Sequence, residues 1–190
     1  MQVAQGNLPA ALASSQAYLA IAERLAKSDP GNAGWQRDLS VSYNKVGDVQ
    51  VAQGNLPAAL ASYQASLAIR DRLAKSDPGN AGWQRDLAVS YSKLGDVFAK
   101  QGKGEDALQN YRLALAIMER LSAVDATNLQ WQADVIEYNY DLAINGDNST
   151  DRFAYVATSL RKLKSERELS AEQAGWLAEA EMRLAKLQAP

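Results

Sequence analysis

Apolar residues recur along this chain at spacings of three and four, broken at regular places by short polar segments rich in Gly, Pro and Asn. From Asn80 onward, Trp83, Leu87, Tyr91, Leu94 and Val97 or Phe98 fall on one face of a helix. Gln101-Gly102-Lys103-Gly104 interrupts that pattern. A second helix follows, with Ala107, Leu108, Tyr111, Leu115 and Met118 on one stripe and Ala114, Ile117 and Leu121 on another. A helix apolar on more than one side is buried between neighbours. Ser76-Asp77-Pro78-Gly79-Asn80 ends the preceding helix, because the residue before Pro leaves the α region and Gly is favoured just past a helix end. Asn80 is the predicted N-cap of the next helix.

This pattern is copied. Trp35, Trp83 and Trp131 are spaced by 48 residues, as are Gly6, Gly54 and Gly102. Residues 3–50 and 51–98 differ only at positions 15, 18, 22, 23, 40, 44, 46 and 50 of the first copy, so 40 of 48 residues are identical. The copy at 99–146 is more diverged but keeps Gln101-Gly102, Ala107-Leu108, Tyr111, Arg120-Leu121 and Trp131-Gln132. Two organisational regions follow: repeats over 1–146 (1–50 partly truncated, then 51–98 and 99–146), and a degenerate last repeat with a C-terminal capping helix over 147–190. In the latter, helices are predicted near 150–165 and 171–188. Ser170-x-x-Gln173 is a capping box that starts the last of them.

Tyr91-x2-Leu94-Gly95-x2-Phe98, followed by Ala107-x3-Tyr111, resembles the tetratricopeptide repeat pattern; Tyr43, Val46, Gly47, Ala59 and Tyr63 repeat it one copy earlier, with Gln50 in place of the aromatic. The glycine stands where two helices cross and a side chain would hold them apart. A tetratricopeptide repeat has about 34 residues, so the unit looks like a long-helix variant, as in repeats attached to effector or nucleotide-binding domains of bacterial multidomain proteins. The resemblance implies an all-α, right-handed α-solenoid of antiparallel helix hairpins closed by a capping helix.

Residues 1–2 align with Val49-Gln50, so the helix near 8–27 lacks half of its hairpin. Either the chain is a fragment of a longer repeat protein, or another molecule covers the missing face. Self-association through this end is the expected consequence.

Composition narrows the chemistry. Cys and His are absent, which removes thiol nucleophiles, imidazole bases, disulfides and the usual zinc ligands. A net charge of -2 offers no electrostatic reason for a nucleic-acid partner or an acidic membrane. No apolar run reaches the ~18 residues of a membrane span, and the N-terminus has no signal-peptide order, so the expected location is the cytoplasm. Paired carboxylates remain: Glu105-Asp106, Asp147 with Asp151, and Glu179 with Glu181. Each lies near a helix start or on an open helical face, without an apolar pocket signal to separate the two pKa values. Asn145-Gly146-Asp147-Asn148-Ser149 has oxygen donors but not the spacing of an EF-hand, and is read as a turn. No catalytic, cofactor or metal site is therefore assigned.

Stacked hairpins create a binding surface lined by the first helix of each pair. By family analogy the partner groove would present Ser40, Asn44, Lys45 and Asp48, then Ser92, Lys93 and Asp96, then Glu137, Tyr140 and Asp141. Asp48 and Asp96 stand where a chaperone-tail clamp would have Asn, which argues against that ligand. Lys45 and Lys93 beside acids favour a polar or mixed-charge peptide or protein segment. Repeated residues are read first as packing: Trp35, Trp83 and Trp131 as gap fillers, Arg37-Asp38 and Arg85-Asp86 as local pairs within reach of a neighbouring repeat, and Glu23/Lys27 and Asp71/Lys75 as i,i+4 pairs. Drift after duplication accounts for the eight differences between the first two copies.

Overall fold

The computed structural model describes residues 7–188, with side-chain surroundings through Lys186. Among the described residues there are eight α-helices: α1 Leu8–Ser28, α2 Ala33–Ala52, α3 Leu56–Ser76, α4 Ala81–Lys100, α5 Gly104–Val124, α6 Leu129–Ile144, α7 Ser149–Glu166 and α8 Ala171–Gln188. The chain is all-α, a helical repeat built from helix hairpins. α1, α3 and α5 begin 48 residues apart, and so do α2, α4 and α6. The structural period is that of the sequence. One compact unit ends at Ala107 and a second begins at Leu108, inside α5. The sequence register instead places its boundary after residue 146.

Helix starts follow one device. Asn7, Asn32, Asn55 and Asn80 each accept a hydrogen bond from the backbone N–H three residues on, and Asn128 accepts from Gln130 and Trp131. Each bond satisfies a donor that the first turn leaves without a helical partner. Pro9 and Pro57 stand at the second helical position, where a missing N–H costs nothing. α8 opens with the reciprocal capping box: Ser170 N–H donates to Gln173 Oε1 at 3.2 Å, and Gln173 N–H donates to Ser170 Oγ at 3.1 Å.

Helix ends are tied to the next helix. Gln36 in α2 donates from Nε2 to the Ala26 carbonyl of α1 at 3.1 Å, and Gln84 in α4 does the same to Ala74 of α3 at 3.0 Å. Both carbonyls sit in the last turn, where no helical N–H reaches them. The turn between α2 and α3 passes through Gly54 at φ 75, a left-handed conformation that glycine adopts freely.

In the first unit α2 packs on α1 and α3, and α3 packs on α4. Ala59 and Tyr63 of α3 meet Leu94 and Val97 of α4 in one buried cluster, flanked by Val51, Leu60 and Phe98. Gly47 shows why the repeat has no side chain at that point. A Cβ there would lie 2.5 Å from Cε1 of Tyr63. In the second unit α7 packs on α6 and α8. Phe153, Val156, Leu160 and Leu163 of α7 join Ile136 of α6 and Leu177 and Ala180 of α8. The Tyr140 ring stacks on Trp176 at 5.4 Å, closing the same cluster.

Candidate partner surface

The first helices α2 and α4 are joined across adjacent repeats by two ion pairs. Arg37 reaches Asp86 through both Nε and Nη2. Lys93 Nζ lies 2.8 Å from Asp48 Oδ1. Asp48 also accepts the hydroxyl of Tyr63 at 2.8 Å, so one carboxylate ties α2 to both α3 and α4. Burial, and secondarily the charge of Asp48, raises the pKa of Tyr63 and keeps the phenol protonated. Asp86 stabilises the charged form of Arg37 and raises its pKa.

Lys45 and Asp48 are exposed on α2, and Lys93 and Asp96 are half-buried on α4. Lys45 places its ammonium 5.0 Å from the centre of the Tyr18 ring of α1. A cation over an aromatic face is held there by the ring quadrupole. These residues form an outward surface of mixed charge.

Ser40, Asn44 and Ser92 lie elsewhere. All three are buried between helices. Ser40 and Asn44 belong to a polar cluster around Arg70 of α3, which is only 4% exposed. Arg70 Nε donates to Ser40 Oγ at 3.1 Å; Nη1 donates to the Asp86 carbonyl at 2.8 Å and to Ser90 Oγ at 3.3 Å. With its amide oriented to match these donors, Asn44 donates to Ser66 Oγ at 2.8 Å and accepts from Arg70 Nη1 at 3.1 Å. A buried guanidinium stays charged, so its burial is tolerated only where its donors are engaged, and this cluster engages them.

The cluster gives physical content to the differences between the first two copies. Position 70 is Arg where the first copy has Ala22, and position 66 is Ser where it has Tyr18. Ser40 and Asn44, which meet this pair, become Ala88 and Ser92 one copy later. Four of the eight differences therefore converge at one helix contact. The first copy supplies the internal control: Ser42 Oγ donates to the Asp38 carbonyl at 2.7 Å, whereas the corresponding Ser90 bond to Asp86 lengthens to 3.4 Å where Arg70 shares the carbonyl. Sequence reasoning missed Arg70. The signal was an Arg inside an otherwise Ala- and Leu-rich helical face.

In the second unit, Glu137 lines a shallow cleft of about 300 Å³ with Gln130, Arg167, Glu172 and Trp176. Tyr140 instead joins the core through Trp176, and burial raises its pKa. Asp141 is half-buried on the same helix.

Glu105 and Asp106 stand in the first turn of α5, and the other two carboxylate pairs are engaged by neighbouring side chains. Asp147 receives Arg112 at 2.6 Å and Arg152 at 2.8 Å, and the Arg112 hydrogen bond lowers its pKa below the usual carboxylate value despite burial. Asp151 accepts from Asn148, which is the one non-glycine residue with positive φ among the described residues. Glu179 pairs with Arg183, and Glu181 with Arg161. Asp71 and Lys75 form their i,i+4 pair at 2.7 Å, while Glu23 accepts the Tyr43 hydroxyl. Among the described residues no group of three or more acidic side chains is placed to hold a metal ion, and no helix is long and apolar enough to cross a membrane.

No curated protein sequence matches the chain. The crystal structure of BtubC (BKLC) from P. vanneervenii is similar in fold, with a TM-score of 0.51 and 17% sequence identity over 96% of this chain and 93% of that one. At that identity the likeness concerns the fold alone. Residues 87–125, which run from the first turns of α4 to just past the end of α5, match the family model described as tetratricopeptide repeat.

Proposed function

We propose that the chain is a non-catalytic scaffold of long, 48-residue tetratricopeptide-like repeats that binds a peptide or protein segment along its first helices. The supporting observation is the division of labour on α2 and α4. One face of each is consumed by packing and the Arg70 cluster, while Lys45, Asp48, Lys93 and Asp96 form an outward row of mixed charge in which Lys93 pairs with Asp48. A surface of that kind suits a mixed-charge segment. Tetratricopeptide repeats in general mediate protein–protein interaction, which is the coarser statement on which this reading rests. In sequence register the third copy offers Glu137 and Asp141 at the related first-helix positions. A cytoplasmic setting fits a chain without cysteine.

The test is selection from a displayed library of peptides in which acidic and basic residues alternate, followed by titration of the selected peptides. Lys45→Glu is the clean probe, because Lys45 makes no ion pair with the protein that its loss would break. Binding weakened roughly tenfold or more, about 1.4 kcal/mol, supports the groove. Unchanged affinity for every selected peptide removes it.

A second reading is an oligomerisation or sensing segment of a larger bacterial multidomain signalling protein, and one observation favours its oligomerisation form. α1 exposes Tyr18, Ile21 and Leu25 together on one face.

A further inference from the structure

We infer that α1 of one molecule docks on α8 of a second copy of this chain, giving head-to-tail association. The proposal deepens the oligomerisation reading and adjoins the peptide groove at Tyr18, over which Lys45 lies.

The first observation is what the repeat does with the same face one copy later. Tyr18 and Leu25 are 49% and 39% exposed, whereas their counterparts Ser66 and Leu73 are 0% and 6% exposed. The difference is α2. It covers α3 through Asn44 against Ser66, and through Gln36, which accepts from Arg72 Nη2 at 2.6 Å. Position 66 meets position 44 while position 72 meets position 36, so the covering helix runs antiparallel. By the repeat, Tyr18, Ile21 and Leu25 are shaped for an antiparallel helix, with Arg24, the counterpart of Arg72, reaching toward its N-terminal end. Among the described residues no helix takes that place.

The second observation is α8. Its buried side is Gln173, Leu177, Ala180 and the half-buried Leu184. The opposite side exposes Ala171, Ala174, Ala178, Met182 and Ala185, spaced by three and four. Small residues let a second helix approach closely, and three bulky side chains need small ones to receive them. Beside Ala174 and Ala178 runs a groove of about 340 Å³ that also contacts Leu169 and Leu177, apolar lining for a side chain such as Ile21. Two α1 faces meeting each other would instead set bulk against bulk.

Charge agrees with the antiparallel direction. The last turns of α1 carry Arg24 and Lys27 with Glu23, and the start of α8 carries Glu172, with Glu168 and Lys164 beside the groove. Antiparallel docking brings the basic end of α1 onto Glu172 and Glu168. Because the two surfaces differ, the contact is heterologous and leaves each molecule one surface of each kind to pass on to the next.

The test uses the full chain in sedimentation velocity over a wide concentration range. Wild type is expected to grow in mass with concentration. Ile21→Glu, on an exposed α1 position, and Ala178→Arg, on an exposed α8 position, should each remain monomeric with unchanged circular dichroism. Mixed in equal amounts they should form a species of twice the monomer mass, since one retains the α8 surface and the other the α1 surface. As a readout independent of these bulky changes, Ile21→Cys and Ala178→Cys in an otherwise cysteine-free chain should form an intermolecular disulfide on mixing and oxidation, faster than either alone. Wild type that stays monomeric at every concentration overturns the proposal, as does Ala178→Arg that associates like wild type. Neither failure affects the peptide titration, which is read on monomer.

Discussion

Arg70 in α3 donates from its guanidinium to the hydroxyl of Ser40 in α2, across thirty residues and inside a helix contact closed to solvent. Neither residue explains itself alone. A buried Arg without partners would cost several kcal/mol, and a buried Ser needs only a local carbonyl, which Ser40 has in Arg37 at 2.7 Å.

The first prediction concerns that coupling. Arg70→Met, the residue at the corresponding Met118 of the third copy, removes the charge but leaves the buried Asn44 side-chain carbonyl without its donors and takes from Ser40 and Ser90 their shared guanidinium contact. It should destabilise the protein by about 2–4 kcal/mol in urea unfolding. Adding Ser40→Ala and Asn44→Ser, the residues found at 88 and 92, should recover at least half of the loss. A triple variant as unstable as Arg70→Met alone would show that these positions are not one network.

How much of this was legible beforehand divides along a physical line. Caps and turns depend on residues within three or four positions of each other, so Asn80, Ser170 with Gln173, and the glycine at 47 could be read from the sequence. The period carried the helix limits from one copy to the next. The surface residues were harder, because a helix with two buried sides leaves only a narrow outward strip. Ser40, Asn44 and Ser92 are polar and resemble strip residues in sequence, yet Ser40 and Asn44 point at a guanidinium supplied by another helix. Tyr140 resembles them as well, and its ring partner Trp176 lies 36 residues on, past the point where the period slips. Lys45, Asp48 and Lys93 were recognisable because long charged side chains seldom tolerate burial.

A second prediction isolates the close helix crossing. Gly47→Ala should gain about 1 kcal/mol in helix propensity. The new Cβ, however, meets a Tyr63 ring that is 2% exposed and held at its hydroxyl by Asp48, so the ring cannot swing aside. Overpacking costs about 1–3 kcal/mol, and net destabilisation of about 1 kcal/mol is expected. Tyr63→Ser, which restores the Ser15 of the first copy, should abolish the penalty of Gly47→Ala in a double-mutant cycle. A Gly47→Ala protein more stable than wild type would contradict this geometry.

A third prediction follows from Asp147. Arg112 and Arg152 hold its folded-state pKa below the ordinary value of 3.8. A group with a depressed folded pKa contributes stability above its unfolded pKa and loses it as pH falls through the folded one. The melting temperature should therefore drop between about pH 4 and the lower folded pKa. Asp147→Asn should lower stability at neutral pH and flatten this part of the profile. An equally steep acid limb in the variant would place the titrating carboxylate elsewhere.

The last prediction runs the same linkage in the opposite direction. The Tyr63 phenol is buried beside Asp48 and its pKa is raised from 10.0 in the folded protein. Below pH 10 it is protonated in both states and contributes no pH dependence. Above the unfolded value the unfolded chain releases this proton while the folded chain retains it, so stability must fall as pH rises. Asp48→Asn removes the neighbouring charge but leaves the burial that is the larger cause, so it should soften the alkaline loss without eliminating it. Tyr63→Phe removes the ionising group itself, together with the hydrogen bond to Asp48. It should cost about 1 kcal/mol at neutral pH, and the variant and wild-type stability curves should converge as pH rises past 10. Parallel curves across that range in urea unfolding would mean that Tyr63 ionises as easily folded as unfolded, and that the contact with Asp48 does not persist in solution.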